Sequence, residues 1–286
     1  MNWLEKLEEI AIKVHDVVKP LLGTEEASRN IGKGAGGDVS KEIDIVAERM
    51  ILEELQNLNE TIMVITEEKG ELLLNPSTRV QEYSYHAIID PIDGSFNATS
   101  GVPIAAISIA ISNGPQVKDI TDAVVLNVYT GDIYKASRGK GAWLNERRLV
   151  LKNAKEDLDG IALGIDLNPK NIDQGRMDYI NELEFILDTP KKIRVLGCNA
   201  IGTCLVATGA LDCFIDIRGN LRFLDIAAAW LIVKEAGGMV YDWAEGEMNP
   251  MDKLNLKLKM KIQLLAVSND ELTRDIMKRF KEFENK

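Results

Sequence analysis

Apolar positions in the first twenty residues fall on one helical face. Trp3, Leu4, Leu7, Ile10, Ala11, Val14, Val17 and Val18 recur at three- and four-residue spacing. This predicts an amphipathic helix that stops near Pro20. A glycine-rich loop follows over 30–37, then a second helix with Ile43, Val46, Ala47, Met50 and Ile51 on its apolar face. Residues 62–66, 85–90 and 104–112 read as strands, the last turning at Asn113-Gly114-Pro115. Residues 123–129 and 133–136 flank Thr130-Gly131-Asp132 as a hairpin. Residues 145–158 are charged and carry little pattern. Beyond them the pattern predicts strands at 161–165, 193–196, 211–216, 238–242 and 262–267. Helices are predicted at 174–187, 199–209, 225–236 and 269–283. The change of character predicts an α/β (α+β) chain with an N-terminal unit over 1–150 and a C-terminal unit over 151–286.

Composition narrows the function classes. A chain of 286 residues holds roughly two domains. Its net charge of −11 disfavours nucleic acid and anionic membrane as partners, since both want a positive footprint. The longest apolar run, 102–111, is too short to span a bilayer, and no signal peptide is visible. Cys198, Cys204 and Cys213 form no CxxC pair, and free thiols suit a reducing cytoplasm. With only His15 and His86 present, histidine-based catalysis has little material.

Carboxylates supply the chemistry instead. In Ile88-Ile89-Asp90-Pro91-Ile92-Asp93-Gly94-Ser95-Phe96-Asn97 an apolar strand runs into two acids three residues apart. Asp90, Asp93 and the Ile92 carbonyl are oxygen ligands of the kind Mg²⁺ wants. The backbone amides after Asp93 could receive a phosphate. An Asp-rich turn capping a short helix is the plainer alternative. Glu67 and Glu68 follow a strand end, where α/β sites collect ligands, or form a solvated loop pair. Asp225 precedes a strongly apolar helix that closes at Gly237-Gly238, and reads either as an N-cap or as a ligand. Gly32, Gly34 and Gly37 match GxGxxG but follow no strand, so a dinucleotide fingerprint is rejected.

Together these residues resemble the inositol monophosphatase superfamily. Asp90-Pro91-Ile92-Asp93-Gly94-Ser95 is similar to its DPxDGT/S motif. Leu224-Asp225-Ile226-Ala227-Ala228-Ala229 with Glu235-Ala236-Gly237-Gly238 resembles WDxAA…EAGG. Glu67-Glu68 resembles GEE, Asp38-Val39-Ser40 with Asp44 resembles D-x-V-T-x-x-x-D, and residues 139–146 resemble GKGAxxNG. The five elements occur in family order. Leu224, Thr66 and Glu146 depart from the usual Trp, Gly and Gly, and none of these positions is a ligand.

The resemblance implies a layered αβαβα sandwich, the sugar-phosphatase fold, and Mg²⁺-dependent phosphomonoester hydrolysis. It implies two or three Mg²⁺, with Mn²⁺ as a substitute. Glu67, Asp90 and the Ile92 carbonyl would hold one ion, Asp90, Asp93 and Asp225 a second, and Glu67 would share a third. Asp44 and Ser95 would position the water, and the Gly94 and Ser95 amides the phosphate. Gly197, Cys198, Asn199 and Asp216 fall on substrate-pocket positions. The stretch 212–218 is similar to archaeal members that hydrolyse inositol-1-phosphate and fructose-1,6-bisphosphate. Arg218 and Arg222 would then meet a second phosphate. The alternative substrates are adenosine 3′,5′-bisphosphate and NADP. A cytoplasmic homodimer acting on a small phosphate ester is the expectation.

Overall fold

The structure, a computed structural model, describes residues 1–37, 39–76, 83–151, 158–167, 183–187, 190–244 and 247–284. Asp38 and most of the helix predicted at 174–187 lie outside the described residues.

Among the described residues, two large sheets and three helical layers stack in the order αβαβα. The first layer is α1 (Trp3–Val18) and α2 (Glu42–Gln56). Their apolar stripes, including Leu7, Val14, Ile43, Ala47 and Ile51, share one buried cluster with Val64, Ile89 and Ile107 of the first sheet. Between α1 and α2, the glycine stretch is a short antiparallel hairpin, β1 (Asn30–Lys33) with β2 (Val39–Lys41), rather than a plain loop.

The first sheet contains β3 (Ile62–Thr66), β4 (Gly70–Leu74), β5 (Tyr85–Asp93) and β6 (Ala106–Ser112). It continues with β7 (Ile120–Asn127), β8 (Ile133–Ser137), β9 (Gly141–Leu144) and β10 (Arg147–Leu149). Its order is β10-β9-β8-β7-β6-β5-β3-β4. Only β3 and β5 pair in parallel within it, and the short helix α3 (Ser95–Ser100) follows β5. Every residue of β6 is buried, as expected of a strand covered on both faces.

The second sheet has the order β12-β11-β13-β16-β14-β15. It is built from β11 (Ala162–Ile165), β12 (Lys192–Arg194), β13 (Cys213–Arg222), β14 (Met239–Ala244), β15 (Glu247–Pro250) and β16 (Lys261–Val267). The outer layer is α4 (Glu184–Leu187), all that is described of the helix predicted there, and α7 (Asp270–Glu284). Ile186, Leu272 and Ile276 pack there with Ile215 and Leu265.

Between the sheets lie α5 (Asn199–Ala207) and α6 (Phe223–Ala236). A helix covered on all sides must be apolar all round. In α6 only Lys234 and Glu235 escape burial. Phe214 on β13 lies over Gly202 of α5 and Gly164 of β11, where a Cβ on either glycine would collide with its ring. That close approach sets α5 against the second sheet and aims its first turn at the end of β5.

Candidate active site

The pairing register explains why acids meet at one end of the first sheet. Thr66 pairs with Ile89 across the parallel β3–β5 ladder. The next residues are Glu67, just past the end of β3, and Asp90 on β5. The β5–β6 register then shifts between Asp90 and Asp93, at Pro91, whose nitrogen carries no hydrogen for a ladder bond. Gly94 follows at φ 84°, the left-handed region, which reverses the chain into α3. A Cβ at Gly94 would stand 3.1 Å from the Gly197 carbonyl and 3.2 Å from that of Ile104. Glycine therefore lets the two halves of the chain approach here.

Two further acids arrive on helix first turns. Asp44 is the third residue of α2, and its Oδ2 accepts from the Lys41 N–H at 2.8 Å. Asp225 is the third residue of α6, and its Oδ2 accepts from the Arg222 N–H at 3.3 Å. The helix thus starts at Phe223 with Arg222 as N-cap. This corrects the expectation of Asp225 in the N-cap position: its carboxylate reaches back to cap the helix and still faces the site.

Glu67, Asp90 and Asp225 each offer a carboxylate oxygen, and these three oxygens lie within 4.8 Å of one another. They open on a cavity of about 320 Å³, which Asp44, Glu68, Ile92, Asp93, Gly94, Ser95 and Asp166 also line. Seven carboxylates and three basic side chains, Lys41, Arg218 and Arg222, therefore face one space. Burial raises the Asp90 carboxyl well above the usual range, and the charges of Glu67, Asp225 and Asp93 add to it. Burial also pushes Glu67 up to about 8, with Arg222 opposing and Asp225 adding. Asp93 is pushed up to about 7, by burial first and then by Asp225. Asp44 likewise rises to about 7 through burial, against the Ser95 hydroxyl and the Lys41 amide. Such a group of acids calls for cations.

The residues present fit a hard metal. The cluster offers oxygen donors alone, and Asp90 Oδ1 is buried without a hydrogen-bond partner among the described residues. An orphaned buried carboxylate oxygen is costly unless a cation completes it.

Around this cluster, Ser95 Oγ lies 2.6 Å from Asp44 Oδ1 and 2.9 Å from the Ile92 carbonyl. Asp93 Oδ2 accepts from the Ala200 N–H at 2.5 Å and from Cys198 Sγ at 3.0 Å. Burial raises the Cys198 thiol well above its ordinary range, so it keeps the proton it donates. Asn199 lines the cavity beside them.

Several residues expected to touch substrate are placed differently. Cys198 is buried behind Asp93, and Gly197 packs on Gly94 through its carbonyl. Neither lines the cavity. Asp216 is fully buried and also lies off the wall. It holds Arg218 in a two-point ion pair, Oδ1 to Nε at 2.8 Å and Oδ2 to Nη2 at 2.5 Å. Arg218 does line the cavity, fixed there also by Asp166 at 2.9 Å. Arg222 spends its guanidinium on Glu67 at 2.6 Å and Asp225 at 3.1 Å, drawn in by the surplus of acid. All three cysteines are buried and free. Asp166 was missed, although an acid just after the apolar strand 161–165 carries the same signal as Glu67. Glu48 was missed too, hidden among the apolar positions of α2.

A family model described as the inositol monophosphatase family matches residues 2–282. The chain belongs to this family. It is a phosphoric monoester hydrolase with the family's fold, and the family is metal-dependent. Among its relatives is the fructose-1,6-bisphosphatase/inositol-1-monophosphatase of Methanothermobacter thermautotrophicus. That protein is 34% identical over 281 residues, covering 96% of this chain and 95% of the relative. The bifunctional NADP phosphatase/NAD kinase of Methanococcus maripaludis is 30% identical over 97% of this chain, which spans 49% of that longer protein. A solved inositol monophosphatase–fructose 1,6-bisphosphatase superposes with a TM-score of 0.80 at 27% identity, over 98% of this chain and 100% of its own. A solved inositol monophosphatase of Thermotoga maritima gives 0.76 at 26%, covering 100% of this chain and 99% of its own. No helix among the described residues is long and apolar enough to cross a membrane.

Proposed function

We propose that this family member hydrolyses inositol-1-phosphate and fructose-1,6-bisphosphate with Mg²⁺ as its metal. The observation that carries the metal site is the Glu67–Asp90–Asp225 cluster, whose Asp90 Oδ1 has no hydrogen-bond partner among the described residues. A phosphate dianion would be repelled by a cavity this acidic unless cations entered first. The substrate pair rests on the names of the fructose-1,6-bisphosphatase/inositol-1-monophosphatase relatives.

Glu67, Asp90 and the Ile92 carbonyl would hold one Mg²⁺, and Asp90, Asp93 and Asp225 a second, with a third sharing Glu67. Bound there, the ions would supply charge for the attacking and leaving oxygens and lower the pKa of an attacking water. The chain's own residues supply position. The Ser95 hydroxyl donates a hydrogen bond to Asp44, which leaves its oxygen lone pairs to orient a water. Asp44 accepts from the Ser95 hydroxyl at Oδ1 and from the Lys41 N–H at Oδ2, which fixes its carboxylate beside that hydroxyl. The Gly94 and Ser95 amides would hold phosphate oxygens. Arg218, rigid on Asp216 and Asp166, and Asn199 would meet the rest of the substrate. The division near residue 150 fits the same reading: 1–150 supplies most of the metal-binding acids, and 151–286 supplies Asp225 and the pocket. A homodimer in the reducing cytoplasm completes the proposal.

One observation favours a second reading. Phe96 is 75% exposed at the cavity rim, a platform on which a nucleotide base could stack. Phosphate release at saturating Mg²⁺ separates the two. Turnover of inositol-1-phosphate and fructose-1,6-bisphosphate at comparable kcat/KM is expected, with NADP and adenosine 3′,5′-bisphosphate at least about tenfold poorer. Turnover confined to the nucleotides would overturn the substrate assignment.

A further inference from the structure

Glu48 lies on α2 one turn beyond Asp44, and only 1% of its surface is exposed. Its Oε1 accepts three hydrogen bonds, from Thr66 Oγ1 at 2.7 Å and from the N–H groups of Glu68 at 3.2 Å and Lys69 at 3.0 Å. Its Oε2 is buried with no hydrogen-bond partner among the described residues. The same turn is also held from its other side. The Glu67 carbonyl accepts from the Gly36 N–H at 2.8 Å, and the Glu68 carbonyl from the Ala35 N–H at 2.9 Å.

These contacts share peptide planes. The plane joining Glu67 to Glu68 is bonded at its N–H to Glu48 and at its C=O to Gly36. The plane joining Glu68 to Lys69 is bonded at its N–H to Glu48 and at its C=O to Ala35. A peptide unit is rigid. Fixing both ends of two successive planes therefore fixes the torsions at Glu68 between them, and Glu67 is held between the first of these planes and Thr66, which is paired in the β3 ladders. A carboxylate accepting from an N–H also polarises that peptide and strengthens its carbonyl as an acceptor. The three donors offset part of the cost of burying an acid here.

We propose that Glu48 is a positioning residue that presets the turn carrying Glu67 and, through two peptide planes, docks the glycine loop over the cation site. The cation part rests on the function proposed above, whereas the docking of Ala35 and Gly36 does not. Close packing suits this role: a Cβ at Gly36 would collide with the Arg222 guanidinium and approach Glu67 Cγ to 3.3 Å.

Glu48→Gln tests it, since glutamine keeps the shape and one acceptor oxygen but loses the carboxylate. Mg²⁺ binding, measured calorimetrically without substrate, is expected to weaken by about 10–100-fold, as for other groups that orient ligands. Amide hydrogen exchange at Ala35 and Gly36 is expected to accelerate by roughly tenfold or more. KM for inositol-1-phosphate at saturating Mg²⁺ is expected to stay within about twofold, because Glu48 does not reach the cavity. Thr66→Val removes one donor and should shift both readouts the same way by a smaller factor. A folded Glu48→Gln protein with wild-type Mg²⁺ binding and wild-type exchange at both amides would overturn the proposal. Should Glu48→Gln not fold, unchanged readouts in Thr66→Val would do the same. A wild-type protein inactive on phosphate esters would sink the phosphatase reading and leave the exchange result standing.

Discussion

Replacing Asp90 with asparagine is expected to remove phosphate release and, at the same time, to make the metal-free protein harder to unfold. Asp90 is assigned to two metal ions at once. Metal-based charge stabilisation is worth several kcal/mol in the transition state, so kcat/KM should fall by roughly 10³-fold or more. The stability change has the opposite sign because the site is costly without cations. Asp90 is buried, one of its oxygens has no partner among the described residues, and Glu67, Asp225 and Asp93 all oppose its charge. Leaving a buried polar group unsatisfied costs about 1–3 kcal/mol, and more when it is charged. At roughly 2–4 °C per kcal/mol for a chain of this size, Asp90→Asn should raise the chelator-treated melting temperature by a few degrees. Phosphate assays and thermal melts on one preparation read both effects. An active Asp90→Asn protein, or an inactive one that melts lower without metal, would break the assignment.

The metal-free protein is also expected to lose stability as pH rises from about 4 to about 8. Carboxyls buried at the site have folded values above their unfolded ones: Asp44 and Asp93 about 7 against 3.8, and Glu67 about 8 against 4.5. Between those limits the folded state holds protons that the unfolded chain has released. Stability therefore falls with rising pH across that window. It is fully present below the unfolded values and lost once pH passes the folded ones. Mg²⁺ should reverse the trend, since it binds the deprotonated acids and displaces their protons. Melting curves at pH 5, 6.5 and 8, each with chelator and with Mg²⁺, measure this. The Mg²⁺ increment should be largest at pH 8 and smallest at pH 5, and flatter throughout in Asp90→Asn. A chelator-treated protein that gains stability from pH 5 to pH 8 would contradict it.

Elements with a strong period were readable from residues alone. The stripe of α1 and the continuous apolar run of α6 each announce how many faces are buried. Strand β4 was missed because it is a short edge strand beginning at Gly70 with Glu71 exposed, so neither alternation nor β-branching marks it. Strand β15, Glu247–Pro250, is polar and largely exposed for the same reason. The hairpin of β1 and β2 was hidden because its first strand is exposed throughout, leaving glycine content as the dominant local signal.

At the site, Glu67, Asp90 and Asp225 could be singled out because each stands where an apolar element ends or begins. Their convergence could not, since it depends on the pairing of Thr66 with Ile89 and on α6 lying between the sheets. Arg222 shows the limit most clearly. Its position in sequence fits a substrate contact, but three-dimensional placement beside Glu67 and Asp225 makes it a counter-charge for the acids. Asp216 and Arg218, two residues apart on β13, satisfy one another for the same reason: neither could be buried alone.

The most direct test is phosphate release from inositol-1-phosphate by chelator-stripped protein titrated with Mg²⁺. Stripped protein is expected to show no turnover, and Mg²⁺ to restore it along a saturable curve. Full turnover by the stripped protein, or none at any Mg²⁺ concentration, would contradict a metal-dependent inositol phosphatase at the Glu67–Asp90–Asp225 cluster.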